Sequence, residues 1–171
     1  ISNKGAEPFS DWIVKEKWRN TQCQTICGKA DADAAIAMIK NRFGFVGIQE
    51  CFDESLILLR KWINHPDLDI RYKSENRAKS DAVKKNILSD PENLNLLRQA
   101  NTEDLKLYNY VKNELFPAEI STYGKYFTED IKKFKLENKD FSGDDSIRSK
   151  LHRRLYNALL PLLCPGTLIR H

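Results

Sequence analysis

The stretch FGFVGIQECFDESLILLRKWI, residues 43–63, decides how the rest of the chain is read. Its first six residues, Phe43-Gly44-Phe45-Val46-Gly47-Ile48, are apolar, aromatic or β-branched, and punctuated by glycine. That pattern predicts a short buried strand. The period then changes. Phe52, Leu56, Leu59 and Ile63 recur at helical spacing, Leu58 and Trp62 widen the stripe, and Arg60 and Lys61 fall elsewhere. Asp53, Glu54 and Ser55 stand where carboxylates and hydroxyls satisfy the free N–H groups of a first helical turn. A strand feeding directly into an amphipathic helix is a core-forming unit.

A chain of 171 residues can enclose one hydrophobic core, and 41% hydrophobic with 30% charged residues is the balance of a globular protein. No apolar run approaches the roughly 20 residues that span a bilayer. Residues 1–11 lack the basic-then-apolar pattern of a signal segment. The chain opens on Ile1 rather than methionine, as expected of a piece of a longer protein. A net charge of +4 permits an anionic ligand without requiring one. Cys23, Cys27, Cys51 and Cys164 are too few for a disulfide framework in a chain this long. None of His65, His152 and His171 stands at ligand spacing from Cys23-x-x-x-Cys27, so no metal is expected. Reduced thiols and the absence of an Asn-x-Ser/Thr sequon point to a cytoplasmic protein.

Outward from the central stretch the chain reads as a series of helices. Phe9 and Ile13 share one face of a short one. Residues 30–42, ADADAAIAMIKNR, are alanine-rich, with aspartates at the start and Lys40 and Arg42 at the end. Asn64-His65-Pro66 stops the helix of the central stretch. Ser89-Asp90-Pro91-Glu92 is a helix start with a cap oxygen and a proline in the first turn. A second start follows at residues 101–104, with the stripe Leu105, Tyr108, Val111 and Leu115 ended by Pro117. Phe127, Ile131 and Phe134 mark a further amphipathic helix. Residues 141–171 read as a polar linker and a basic amphipathic helix, carrying Leu151, Leu155, Leu159 and Leu162, that packs back on the domain.

The chemically richest segment is LDIRYKSENRAKS, residues 68–80. Ile70 and Tyr72 alternate with Arg71 and Lys73, a weak strand signal that runs into a polar loop. Arg71, Lys73, Arg77 and Lys79 are cationic, and Ser74, Asn76 and Ser80 add neutral donors. Phosphate oxygens only accept, so cations and hydroxyl or amide donors on one loop suit a phosphate-bearing ligand.

Three stretches together resemble the carbohydrate sulfotransferases, the family of the heparan-sulfate 2-O-sulfotransferases and their bacterial relatives. Gly47, Glu50, Phe52, Asp53, Glu54, Ser55 and Leu56 match the family's Gly-φ-Thr-Glu-x-Phe-Asp-Glu-Ser-Leu segment, with Gln49 in place of threonine and Cys51 where arginine is usual. Asn101-x-x-Asp104-x-x-Leu107-Tyr108 resembles its Asn-x-x-Asp-x-x-Leu-Tyr signature, and residues 20–28 its Asn-x-Gln stretch; read without the family, 20–28 fit a polar connector stopped by Gly28.

The likeness spans roughly residues 9–116 and corresponds to the family's C-terminal half. It implies an α/β fold, a P-loop-like parallel sheet flanked by helices, of which this chain keeps a predominantly α portion with one or two short strands. It implies transfer of a sulfuryl group from 3′-phosphoadenosine-5′-phosphosulfate to a hydroxyl, carried on a carbohydrate. On that resemblance Lys73, Asn76, Arg77 and Ser80 face the 3′-phosphate and adenine side of the donor. The glycine-rich lysine loop and the catalytic base belong to the family's other half, so no catalytic residue carries over and activity of this chain alone is not expected. Self-association, or pairing with the missing N-terminal segment, is expected instead. The alternative is a non-catalytic helical module that binds a protein or an anionic polymer.

Overall fold

The computed structural model describes residues 8–73, 82–139 and 141. Among them the chain forms α1 (Phe9–Ile13), α2 (Thr21–Cys27), α3 (Ala32–Arg42), α4 (Phe52–Ile63), α5 (Ala82–Ser89), α6 (Pro91–Ala100), α7 (Thr102–Tyr110), α8 (Phe116–Tyr123) and α9 (Phe127–Lys139). The protein is predominantly helical. It divides into two compact units, one of residues 1–42 and 75–122, the other of residues 43–74 and 123–171.

In the first unit α2, α3 and α7 pack on one another. Small side chains allow the close approach: Cys23, Ala32 and Ala35 are fully or almost fully buried, and Leu107, Val111 and Phe116 fill the space beside them. Residues 20–28 are a helix rather than a connector, and Gly28 ends it in the left-handed conformation (φ 78°) that favours glycine. At α6 the cap is the expected one: Asp90 accepts from the Glu92 N–H at 2.9 Å, with Pro91 in the first turn.

Two expectations for the helix that follows fail. Val111 is buried as expected, but Leu105 is 41% exposed, and Asp104 and Leu107 take the buried places one residue before Leu105 and Tyr108. Pro117 does not end it either. Residues Val111–Leu115 form a π-helical turn, closed by the Phe116 N–H donating five residues back to the Val111 carbonyl, and the chain runs on into α8. Proline in a regular helix clashes with the carbonyl four residues before it; a widened turn at that place makes room.

The second unit has its core at Ile57, Ile70, Ile131 and Phe134, where α4 and α9 meet, with Leu56, Leu68, Tyr72 and Phe127 packed around it. The expected strands are absent: the described residues contain no β-strand. Ile48 has extended dihedral angles (φ −118°, ψ 130°), but its backbone pairs with a side chain instead of a neighbouring strand. The Ile48 N–H donates to Ser55 Oγ at 2.9 Å, and the Ser55 hydroxyl donates to the Ile48 carbonyl at 3.1 Å. One hydroxyl thus takes the place of a ladder partner. Gly47 permits it, because a Cβ there would stand 2.9 Å from Ser55 Cβ. The Tyr72 N–H likewise goes to a side chain, donating to Asn138 Oδ1 at 2.8 Å. Asn64, at φ 56°, closes α4 as expected. No helix among the described residues is long and apolar enough to cross a membrane.

Candidate functional site

The segment richest in chemistry begins at Ile70, which is buried in the second unit's core. Asp69 and Arg71 beside it form a bidentate pair, Nε to Oδ1 and an amino group to Oδ2, both at 2.9 Å. The Arg71 guanidinium also lies 4.8 Å from the Phe141 ring. Arg71 is therefore a fastening of the segment, its charge matched within two residues. Tyr72 is held three ways. Its N–H is on Asn138, its hydroxyl donates to Asp53 Oδ1 at 2.9 Å, and its ring meets the Phe52 ring edge-on at 4.8 Å between centroids. Asp53 and Glu54 stand in the first turn of α4, as expected, and their carboxylates also serve other parts of the unit. Glu54 Oε1 accepts from Lys135 Nζ of α9 at 2.9 Å, and that carboxylate raises the Lys135 pKa. These polar side chains of the central stretch tie α4 to the 69–73 segment and to α9.

Lys73, the next residue, is exposed. Of the four residues expected to hold the donor it is the one within the described structure; Asn76, Arg77 and Ser80 lie outside the described residues. Beside the same segment a cleft of about 200 Å³ is lined by Arg60, Asp67, Asp69, Arg71, Phe134 and Glu137, among others. Its charges are mixed in sign.

In the first unit, Asn20 and Asp104 form a reciprocal lock. The Asp104 carboxylate accepts from the N–H groups of Gln22 (3.0 Å) and Cys23 (2.8 Å) in the first turn of α2. The Asn20 side-chain oxygen accepts from the N–H groups of Glu103 (2.9 Å) and Asp104 (3.2 Å) in the first turn of α7. Each helix is capped by a residue that belongs to the other's N-terminus. Glu103 adds a third helix, accepting from the Ala32 N–H at the start of α3 at 3.1 Å. Its pKa is lowered, by Lys106 first and by that N–H second; the Asp31 pKa is lowered by Lys29 and by the Ala34 N–H. Burial and the neighbouring Asp104 carboxylate push the Cys23 thiol up to about 12, which leaves it an unreactive donor at neutral pH. Asp104 is buried in this architectural role.

Among the described residues no group of three or more His, Cys, Asp or Glu could hold a metal ion. Trp62, which the sequence reading placed on the core-facing stripe, is instead 44% exposed, its indole lying against Gly44. The glycine in FGF was the available signal, since a missing Cβ marks close approach. No family model, curated protein or solved structure matches the chain.

Proposed function

We infer that this chain is the helical part of a sulfotransferase-like protein, of the class that moves a sulfuryl group from 3′-phosphoadenosine-5′-phosphosulfate to a carbohydrate hydroxyl. Its part in that reaction is to present the loop that receives the donor's 3′-phosphate end; the chemistry falls to residues outside this chain. The observation that carries the reading is the triple anchoring of Tyr72 by Phe52, Asp53 and Asn138. Phe52 and Asp53 belong to the stretch that resembles the family most, and they fix the backbone from which Lys73 projects. Lys73 supplies a charge for a phosphate there, and Asn76, Arg77 and Ser80 follow within seven residues.

The test is calorimetric titration with adenosine 3′,5′-bisphosphate, beside a Lys73→Ala/Arg77→Ala variant. Binding that the variant loses supports the reading; silence at millimolar nucleotide refutes it for this chain. The second reading, a non-catalytic helical binding module, draws on a different feature. Half-buried Phe9 and exposed Trp12 and Trp18 form a ring stack, 6.1 and 4.9 Å between successive centroids, with Lys17 4.8 Å from the Trp18 ring. Concentration-dependent self-association without nucleotide binding, read by sedimentation, would favour it.

A further inference from the structure

The face of α9 that buries Ile131 and Phe134 continues towards the end of the helix as a row of holds on the rest of the second unit. Lys135 Nζ lies 2.9 Å from Glu54 Oε1 and 4.0 Å from Asp53 Oδ2, both in the first turn of α4. Asn138 Oδ1 accepts the Tyr72 N–H at 2.8 Å. The Phe141 ring lies 4.8 Å from the Arg71 guanidinium, and the Phe141 N–H donates to the Asn138 carbonyl at 3.3 Å. Asp53 closes the circuit, because its other oxygen accepts from the Tyr72 hydroxyl. Residues 131, 134, 138 and 141 recur at intervals of three and four, the spacing of one helical face. That face grips two consecutive residues, Arg71 and Tyr72, and the next in the chain is the exposed Lys73.

We propose that Asn138 is a positioning residue for the cation site at Lys73, and that the seating of α9 and the occupancy of Lys73 by a phosphate-bearing ligand are linked. The second half rests on the function inferred above; α9 itself lies beyond residues 9–116, where the likeness to the family ends. The effect is local. A backbone N–H donates once, and Tyr72 gives its N–H to Asn138, so the carboxamide fixes the peptide plane between Arg71 and Tyr72. Asp53 and Phe52 fix the other end of Tyr72 by its hydroxyl and its ring. Lys73 therefore leaves from a backbone held on both sides of the preceding residue. Without Asn138 that peptide turns to water, and the ammonium must be collected from a wider volume when a ligand binds. Linkage makes the relation reciprocal: a ligand that prefers the seated arrangement holds α9 down in return.

The test is amide exchange and ¹⁵N relaxation on the full chain, with Asn138→Ala, which removes the acceptor, and Asn138→Asp, which keeps it. Without ligand, Asn138→Ala speeds exchange at Tyr72 about fivefold and lowers the Lys73 N–H order parameter from about 0.85 to about 0.6. The core amide of Ile57 keeps the parent's rate, and Asn138→Asp restores both readings. Adenosine 3′,5′-bisphosphate then slows exchange at Lys135 and Asn138, and binds Asn138→Ala about fivefold more weakly than the parent. The added charge of Asn138→Asp would itself repel a phosphate, so the rescue is read without nucleotide. The proposal is overturned if Tyr72 and Lys73 behave alike in Asn138→Ala and the parent, or if Asn138→Asp rescues neither. It is equally overturned if Ile57 exchange rises in step with Tyr72, the mark of plain destabilisation, or if bound nucleotide leaves α9 exchange unchanged. A parent that binds no nucleotide removes the donor loop and the linkage together; the positioning of Lys73 by Asn138 is then decided by the readings without ligand.

Discussion

Removing the Asp104 carboxylate should unlock two helices at once. Asp104→Ala strips acceptors from the N–H groups of Gln22 and Cys23, the second of them buried, at the positive end of α2. Hydrogen bonds to a charged acceptor are worth about 1.5–3 kcal/mol, and an orphaned buried donor keeps its desolvation cost, so a loss of about 2–4 kcal/mol is expected. The partner change must respect Asn20's backbone, which is left-handed (φ 48°). Alanine there would add strain of about 1–2 kcal/mol; glycine removes the cap alone, at about 1 kcal/mol. Asn20→Gly isolates the Glu103 and Asp104 N–H groups at the start of α7. Because each residue sits in the turn that the other caps, loosening one frees the other, and the double variant should lose less than the sum by at least about 0.5 kcal/mol. Urea midpoints at unchanged slope give the four energies, and amide exchange at Gln22, Cys23, Glu103 and Asp104 locates them. Additivity within about 0.3 kcal/mol would falsify the interlock and leave two independent caps.

The Ser55 hydroxyl serves both backbone groups of Ile48, so Ser55→Ala should cost about 1–3 kcal/mol, and Gly47→Ala a similar amount by forcing Ser55 away; unchanged melting temperature in either variant contradicts that role. Cys23 should be the slowest of Cys23, Cys27 and Cys51 to react with a thiol reagent at pH 8, as mass-spectrometric mapping can read. Its thiol and the Tyr123 hydroxyl, both pushed up to about 12, hold protons in the folded state that the unfolded chain has already released. Stability should therefore fall as pH rises from about 9 towards 12, most for the parent and less for Cys23→Ala. Asp31 and Glu103, with lowered pKa values, work in the opposite sense: the unfolded chain binds protons first, so stability present above about pH 4.5 should fade as the solution is acidified through their folded values. A Glu103→Gln variant should show a shallower acid transition in the first unit.

Helix positions were legible where the signal is local. Asp90-Pro91-Glu92 supplies its own cap, Asn64 its own left-handed stop, and Ile131 with Phe134 their own face. What escaped is what depends on partners far along the chain. Asp104 looks like a first-turn residue of α7, and its bonds to residues 22 and 23 cross more than 80 positions. The apolar residues 43–48 have the composition of a strand, yet a strand exists only beside another; here a serine seven residues on answers for the missing neighbour. Of the site, Arg71 and Lys73 looked alike in sequence, and packing separated them, Asp69 and Phe141 engaging the first while the second faces solvent. Trp62 belonged to the helical stripe by spacing, and only the fit of its ring to Gly44 sets it apart.

The π turn at Val111–Leu115 also says something about the history open to this chain. Such a turn holds one residue more than a regular helix needs, and deleting one residue would ordinarily restore the plain form. Here Pro117 stands in the way, because in the regular form its ring would press on the Asn113 carbonyl. Reversal needs two changes together, the lost residue and a replaced proline, so the extra residue stays for as long as Pro117 does.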